Sequence, residues 1–132
     1  MKIIGESEFH RVSVDTSKNR LYLYFRGKLM MKSYEVLKEA PDQVRQACRL
    51  LSQGFTVFCD LREVSMFGLP DLARDVQEAH FKAGTRKAAI VWNKEGFTTF
   101  LLDGTAKELS ETYAEKRKNF VNGTEAEEWL DQ

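Results

Sequence analysis

The most reactive side chains in this chain stand together at the end of one apolar run. Phe55-Thr56-Val57-Phe58 leads into Cys59-Asp60, so a thiol and a carboxylate are neighbours where a buried strand runs out. A thiolate there would act as a nucleophile if a base and a helix N-terminus lowered its pKa. The base would have to be His10 or His80, the only histidines, and these fall on a first strand and a helix flank. Cys59 is therefore read as a small apolar core residue. Asp60 has two readings of equal weight: ligand contact, or a cap on the backbone amides that follow it. Arg62, Arg86 and Lys94 would line a site for an anion, yet isolated basic residues at strand ends are ordinarily just solvated. No nucleophile, base and orienting group assemble from these residues. We expect no catalytic residue and no enzyme.

Other chemistries are excluded in the same way. Cys48 and Cys59 lie in different elements with no CxxC or Cys/His ligand spacing, so neither a metal site nor a disulfide is expected, and no cofactor is called for. Gly104-Thr105-Ala106-Lys107 lacks the glycines and the lysine-serine ending of a phosphate-binding loop. The basic run Lys116-Arg117-Lys118 is balanced by Glu108, Glu111, Glu125, Glu127 and Glu128 and reads as a solvated helix end. Lysine plus arginine number 20 and aspartate plus glutamate number 20, which gives no electrostatic footprint for nucleic acid or an anionic membrane. The apolar runs fall far short of the roughly 20 residues that span a bilayer, and the start MKIIGESEFH carries no signal-like run. A cytoplasmic location is expected.

The elements follow from periodicity. Glu8 to Val14 and Arg20 to Arg26 alternate as strands about the polar turn Asp15-Thr16-Ser17-Lys18-Asn19, which makes a hairpin. Ser33 to Ser52 has helical spacing interrupted by Pro41, and Gly54 caps it. Phe55 to Cys59 and Ala88 to Trp92 read as strands buried on both faces. Between them, Leu69, Leu72, Val76, Ala79 and Ala83 form one helical stripe with Pro70 in its first turn and Gly84 just past its end. A long helix weakened by Gly104 carries Phe97 to Tyr113. A short extended piece lies near Phe120, and a capping box of Thr124 and Glu127 opens a terminal helix. The order implies one α/β domain over residues 1–132. Its mixed sheet of four to five strands has an antiparallel N-terminal hairpin and then parallel βαβ units, covered by helices.

In such a sheet, ligands gather outside the carboxyl ends of the parallel strands. Those ends are the segment from Asp60 to Gly68, read as a loop, and the turn from Asn93 to Gly96. Within the first, Met66-Phe67-Gly68-Leu69 sets large apolar side chains into a short connection. The helix stripe accounts for Leu69 and leaves Met66 and Phe67 without a core position, so exposure to a partner is expected. The candidate ligand- or partner-binding residues are Asp60, Arg62, Ser65, Met66, Phe67, Gly68, Asn93 and Lys94.

The stretches NRLYLYFRG, GFTVFCDLREV, LPDL, KAAIVW and TEAEEWL, in that order, resemble the STAS superfamily, especially the branch similar to sporulation stage II protein AA (SpoIIAA-like) and to Sec14-type lipid carriers. The resemblance covers most of the chain. It implies a non-catalytic regulatory fold that binds a protein partner or a second copy of itself, as a homodimer. In the Sec14-like branch it implies a carrier of a small apolar or lipid-like ligand, in a pocket floored here by Phe58, Val91 and Trp92 and closed by Phe97 and Phe100. One departure is plain. Where the sigma-regulating members place an acidic residue and a phosphorylatable serine pair at the helix start, this chain has Gly68, Leu69 and Pro70. Ser65 falls too early to replace that serine.

Overall fold

The computed structural model describes residues 1–93 and 99–132, with side chains described outside 99–103. Three strands open the chain: β1 (Lys2–Glu6), β2 (His10–Asp15) and β3 (Arg20–Leu29). A short 3-10 turn (Met31–Ser33), α1 (Tyr34–Leu37) and α2 (Ala40–Cys48) lead to β4 (Thr56–Phe67). Then follow α3 (Pro70–Ala83), β5 (Lys87–Val91), α4 (Thr99–Leu109), α5 (Glu111–Lys116), β6 (Arg117–Phe120) and α6 (Gly123–Leu130). The six strands lie in chain order, antiparallel from β1 to β3 and parallel from β3 to β6. The mixed α/β sheet expected from the sequence is present. It holds one strand more than expected, because Lys2–Glu6 is a short, mostly exposed edge strand whose register shifts at Gly5, so it lacks clean alternation.

Turn chemistry explains the hairpin. Asp15 Oδ1 accepts from Ser17 N at 3.0 Å, Ser17 Oγ at 2.6 Å and Lys18 N at 3.2 Å, while Asn19 takes the left-handed backbone at φ 53°. Pro41 sits in the first turn of α2 and splits the helical region in two. Gly84 ends α3 at φ 111°, where a side chain would be strained.

Two local expectations fail for reasons of capping. The helix read as one long element through Tyr113, weakened at Gly104, breaks at Ser110, because the Ser110 hydroxyl accepts from Tyr113 N at 2.9 Å and starts α5. The terminal helix opens on Asn122, whose side chain takes the Glu125 amide at 3.0 Å, and not on a Thr124–Glu127 capping box. Among the described residues, no helix is long and apolar enough to cross a membrane.

Two apolar cores flank the sheet. The larger joins Val12, Leu21, Leu23, Val57, Cys59 and Ile90 to the inner faces of α2 and α3. The smaller joins Phe58, Ala89 and Val91 to Ala126 and Leu130 of α6. Glu127 is free of capping duty because it serves Arg20, which is only 2% exposed. Arg20 donates to Thr56 Oγ1 at 2.8 Å and to Asp131 Oδ1 at 2.7 Å, and it is paired with Glu127, which also accepts from Tyr22 O–H at 2.7 Å. Burial and the Glu127 bond push the Tyr22 hydroxyl up to about 12.

Removing this cation while leaving Glu127 in place, as in Arg20→Met, should lower stability by about 3 kcal/mol. Hydrogen exchange should then speed up first in α6. Unchanged denaturant stability with full protection of α6 would contradict this account of how the helix is held.

Candidate functional site

The segment from Asp60 to Phe67 is strand, not loop. It continues β4 alongside β3, with Arg26 facing Glu63, Gly27 facing Val64, Lys28 facing Met66 and Leu29 facing Phe67. Register shifts between Tyr24 and Arg26, and again between Gly27 and Lys28, each leave an extra residue on β4. Side chains therefore turn inward at Leu61, Val64 and Phe67, three apart, where a regular strand would alternate by two. That irregular spacing is why the sequence reads as a loop. Leu29 O accepts from Gly68 N at 2.8 Å and closes the ladder.

Three expected site residues come together at one corner. Asp60 Oδ1 accepts from the Arg62 amide and from Arg62 Nε, both at 3.0 Å, and Oδ2 accepts from Arg62 Nη2 at 2.9 Å. This fork is bidentate, and the bond to Asp60 raises the Arg62 pKa. Of the two readings of Asp60, capping is thus satisfied within the chain. Asn93 Nδ2 donates to Arg62 O at 3.2 Å. The corner opens on a shallow cleft with Phe58, Val121, Asn122 and Thr124. Lys94 and Phe97 lie outside the described residues, as does the side chain of Phe100.

The remaining candidates divide between two faces. Ser65 and Met66 are exposed, while Phe67 is half-buried against the larger core. Phe67 thus departs from the expected exposure, because the bulged register turns it inward. Gly68 lies against Met30: a Cβ there would stand 2.9 Å from Met30 Cε. Around this end of the β3–β4 pair stand further exposed apolar side chains that sequence reasoning missed. Met31 is 74% exposed and Met66 49%, with Met30 and Tyr34 also in solvent. The available signal was Met30-Met31-Lys32-Ser33-Tyr34, where adjacent methionines follow a strand and fit neither period.

The pocket expected from Phe58, Val91 and Trp92 does not form as one site. Phe58 and Val91 face α6, whereas Trp92 belongs to the core on the opposite face. Arg86 is structural: it donates to Gln132 O at 3.1 Å and to Leu130 O at 3.3 Å, closing the end of α6.

The histidines and cysteines are equally committed. His10 bonds Ser7 Oγ at 2.6 Å and Gln43 Oε1 at 2.7 Å. Thr85 Oγ1 donates to His80 O at 2.8 Å, which leaves it to accept from His80 Nδ1–H, also at 2.8 Å. Tyr113 O–H then donates to Nε2 at 3.0 Å. Burial, aided by the positive Arg117, holds the His80 pKa down to about 3. Burial pushes the Cys59 thiol up to about 12, so it supplies no thiolate near neutrality.

Because the folded His80 resists protonation, the unfolded chain binds an extra proton between its ordinary pKa of 6.5 and about 3. Its stabilising contribution is complete above that range and declines as pH falls, by up to about 1.4 kcal/mol per pH unit. Denaturant titrations at pH 7, 6 and 5 should show a flatter slope for His80→Gln than for the parent. Equal slopes would contradict the assignment.

No family model matches the chain, and no curated protein does. Among solved structures, it is similar to an uncharacterized protein of the DUF3478 family with a SpoIIAA-like fold from Shewanella loihica PV-4. The likeness covers 96% of this chain and 98% of that one, at 19% identity and a TM-score of 0.58. An identity this low speaks to fold alone, and on that footing the chain adopts a SpoIIAA-like fold.

Proposed function

We propose that the chain is a non-catalytic regulatory module of the STAS type that binds a protein partner through the end of the β3–β4 pair. The observation that carries this reading is the exposure of Met30, Met31, Tyr34 and Met66 at that one end. Exposed apolar groups gathered together mark interaction surfaces. Methionine suits such a surface, since its unbranched, polarisable side chain repacks against partners of varied shape. The surface needs no disordered loop, because the ladder with β3 holds it out. The SpoIIAA-like fold is typically non-catalytic, and the candidate nucleophile and bases are each occupied or buried. The Asp60–Arg62 fork is read as a brace farther back on the strand, at the corner where Asn93 meets Arg62.

A photo-crosslinking residue placed at Met31 or Met66 should capture a discrete protein adduct in cells, whereas the same residue at Lys82 on α3 should not. An adduct of twice the chain mass would name a second copy as the partner. The double variant M31E/M66E should reduce binding of the captured partner at least ~10-fold while changing stability by less than about 0.5 kcal/mol. By contrast, Phe67→Ser should cost about 2 kcal/mol of stability, because its ring packs on the core. Adduct yields at positions 31 and 66 no higher than at Lys82 would overturn the reading.

A further inference from the structure

The methionine surface has a cationic rim that the chain does not neutralise. Lys28 and Met66 are partners across the β3–β4 ladder, and since both are exposed their side chains project together from one face. Lys32 directly follows Met31 in the 3-10 turn and is exposed as well. Neither lysine joins an ion pair among the described residues. The cations around them are matched: Arg26 stands opposite Glu63 in the ladder, and Lys38 donates to Glu35 at 2.8 Å. Glu39 adds its own attraction to Lys38. The two unmatched charges therefore flank the exposed methionines.

An apolar centre with a charged border is the anatomy of a recognition surface. Lysine suits the border, since its methylenes lie along apolar neighbours while the ammonium stays in water. A rim of one sign selects a partner of the other, through faster encounter and through rejection of like charge. A flat anionic membrane fits less well. Lipid-binding patches gather roughly four to eight basic residues, whereas here Glu35, Glu39 and Glu63 stand in the same neighbourhood and would be repelled. A segment of protein can set its carboxylates at two points and avoid the rest.

Resting on the reading that this surface binds protein, we propose that its partner is an acidic amphipathic segment of another protein. The apolar side chains of that segment lie on Met31 and Met66, and its carboxylates reach Lys28 and Lys32. Partner choice is thus set by charge at the border, while methionine at the centre tolerates variation in the apolar side chains it meets.

A randomised peptide library displayed on phage, selected on the parent and counter-selected on the uncharged variant M31S/M66S, tests this without presupposing a sequence. The retained peptides should carry net negative charge, with Asp or Glu flanking aromatic or aliphatic residues. A synthetic copy of one should bind K28E/K32E about 10-fold more weakly than the parent at low salt. That gap should narrow as salt rises from ~0.05 M to ~0.5 M. K28Q/K32Q should fall between the two, and selection on K28E/K32E should favour basic peptides. Thermal melting close to the parent's checks that each variant folds. Retained peptides without acidic bias, or equal binding to the parent and K28E/K32E, would overturn the proposal, whereas a crosslinked adduct at Met31 would still support the surface itself. A library that yields no peptide dependent on Met31 and Met66 overturns it too. Sedimentation of the parent, but not M31S/M66S, with phosphatidylserine vesicles would then assign the surface to a membrane.

Discussion

The parallel ladder between β3 and β4 is the constraint on which the remaining structure depends. It joins an antiparallel half, β1 to β3, to a parallel half, β4 to β6, and it runs from Arg20 opposite Thr56 to Leu29 opposite Phe67. Beyond Asp60, where the partner strand β5 ends, this ladder alone carries the chain forward. Each extra residue on β4 resets which side chains turn inward. Leu61, Val64 and Phe67 thereby stay with the core, and Met66 is delivered to solvent. One irregularity of backbone therefore produces both a buried wall facing the larger core and the exposed surface beside it. Met66 and Phe67 are neighbours in sequence and opposite in environment.

Charge holds the other side of the sheet. α6 buries only Ala126 and Leu130 fully, which is modest apolar area for an element that must cover Phe58 and Val91. The fork from Arg20 to Glu127 and Asp131, with Tyr22 and Thr56 attached, adds directional bonds at low dielectric and fixes where the helix sits. The bond to Arg20 also holds the Asp131 carboxyl below its ordinary pKa. A chain of zero net charge spends part of that balance inside, on a contact between its second half and its first hairpin.

Much of this was legible in the sequence, for reasons that differ by element. Arg20 to Arg26 and Ala88 to Trp92 obey simple strand patterns, and α3 is bracketed by Pro70 and Gly84, so these elements and the α/β class could be read directly, although β3 runs on to Leu29. The candidate site was legible in position but not in form. Asp60, Arg62 and Asn93 do meet at one corner. The strand through Phe67 was hidden because bulges destroy the period on which strand recognition rests. Glu127 looked like half of a capping box because its spacing from Thr124 fits one, while its true partner, Arg20, lies 107 residues away. Gln77 Oε1, buried on α3 with no donor among the described residues, has no sequence signature, since satisfaction of a buried group depends on every neighbour at once.

The account stands on β4 being a formed strand as far as Phe67, so that the methionine surface is held ready and not assembled on contact. Native-state hydrogen exchange, read residue by residue, tests this most directly. The account predicts that the Gly68 amide, bonded to the Leu29 carbonyl at 2.8 Å, exchanges far more slowly than the exposed turn from Thr16 to Lys18. Exchange of Gly68 as fast as that turn would show the β3–β4 extension to be open in solution, and would contradict a preformed surface.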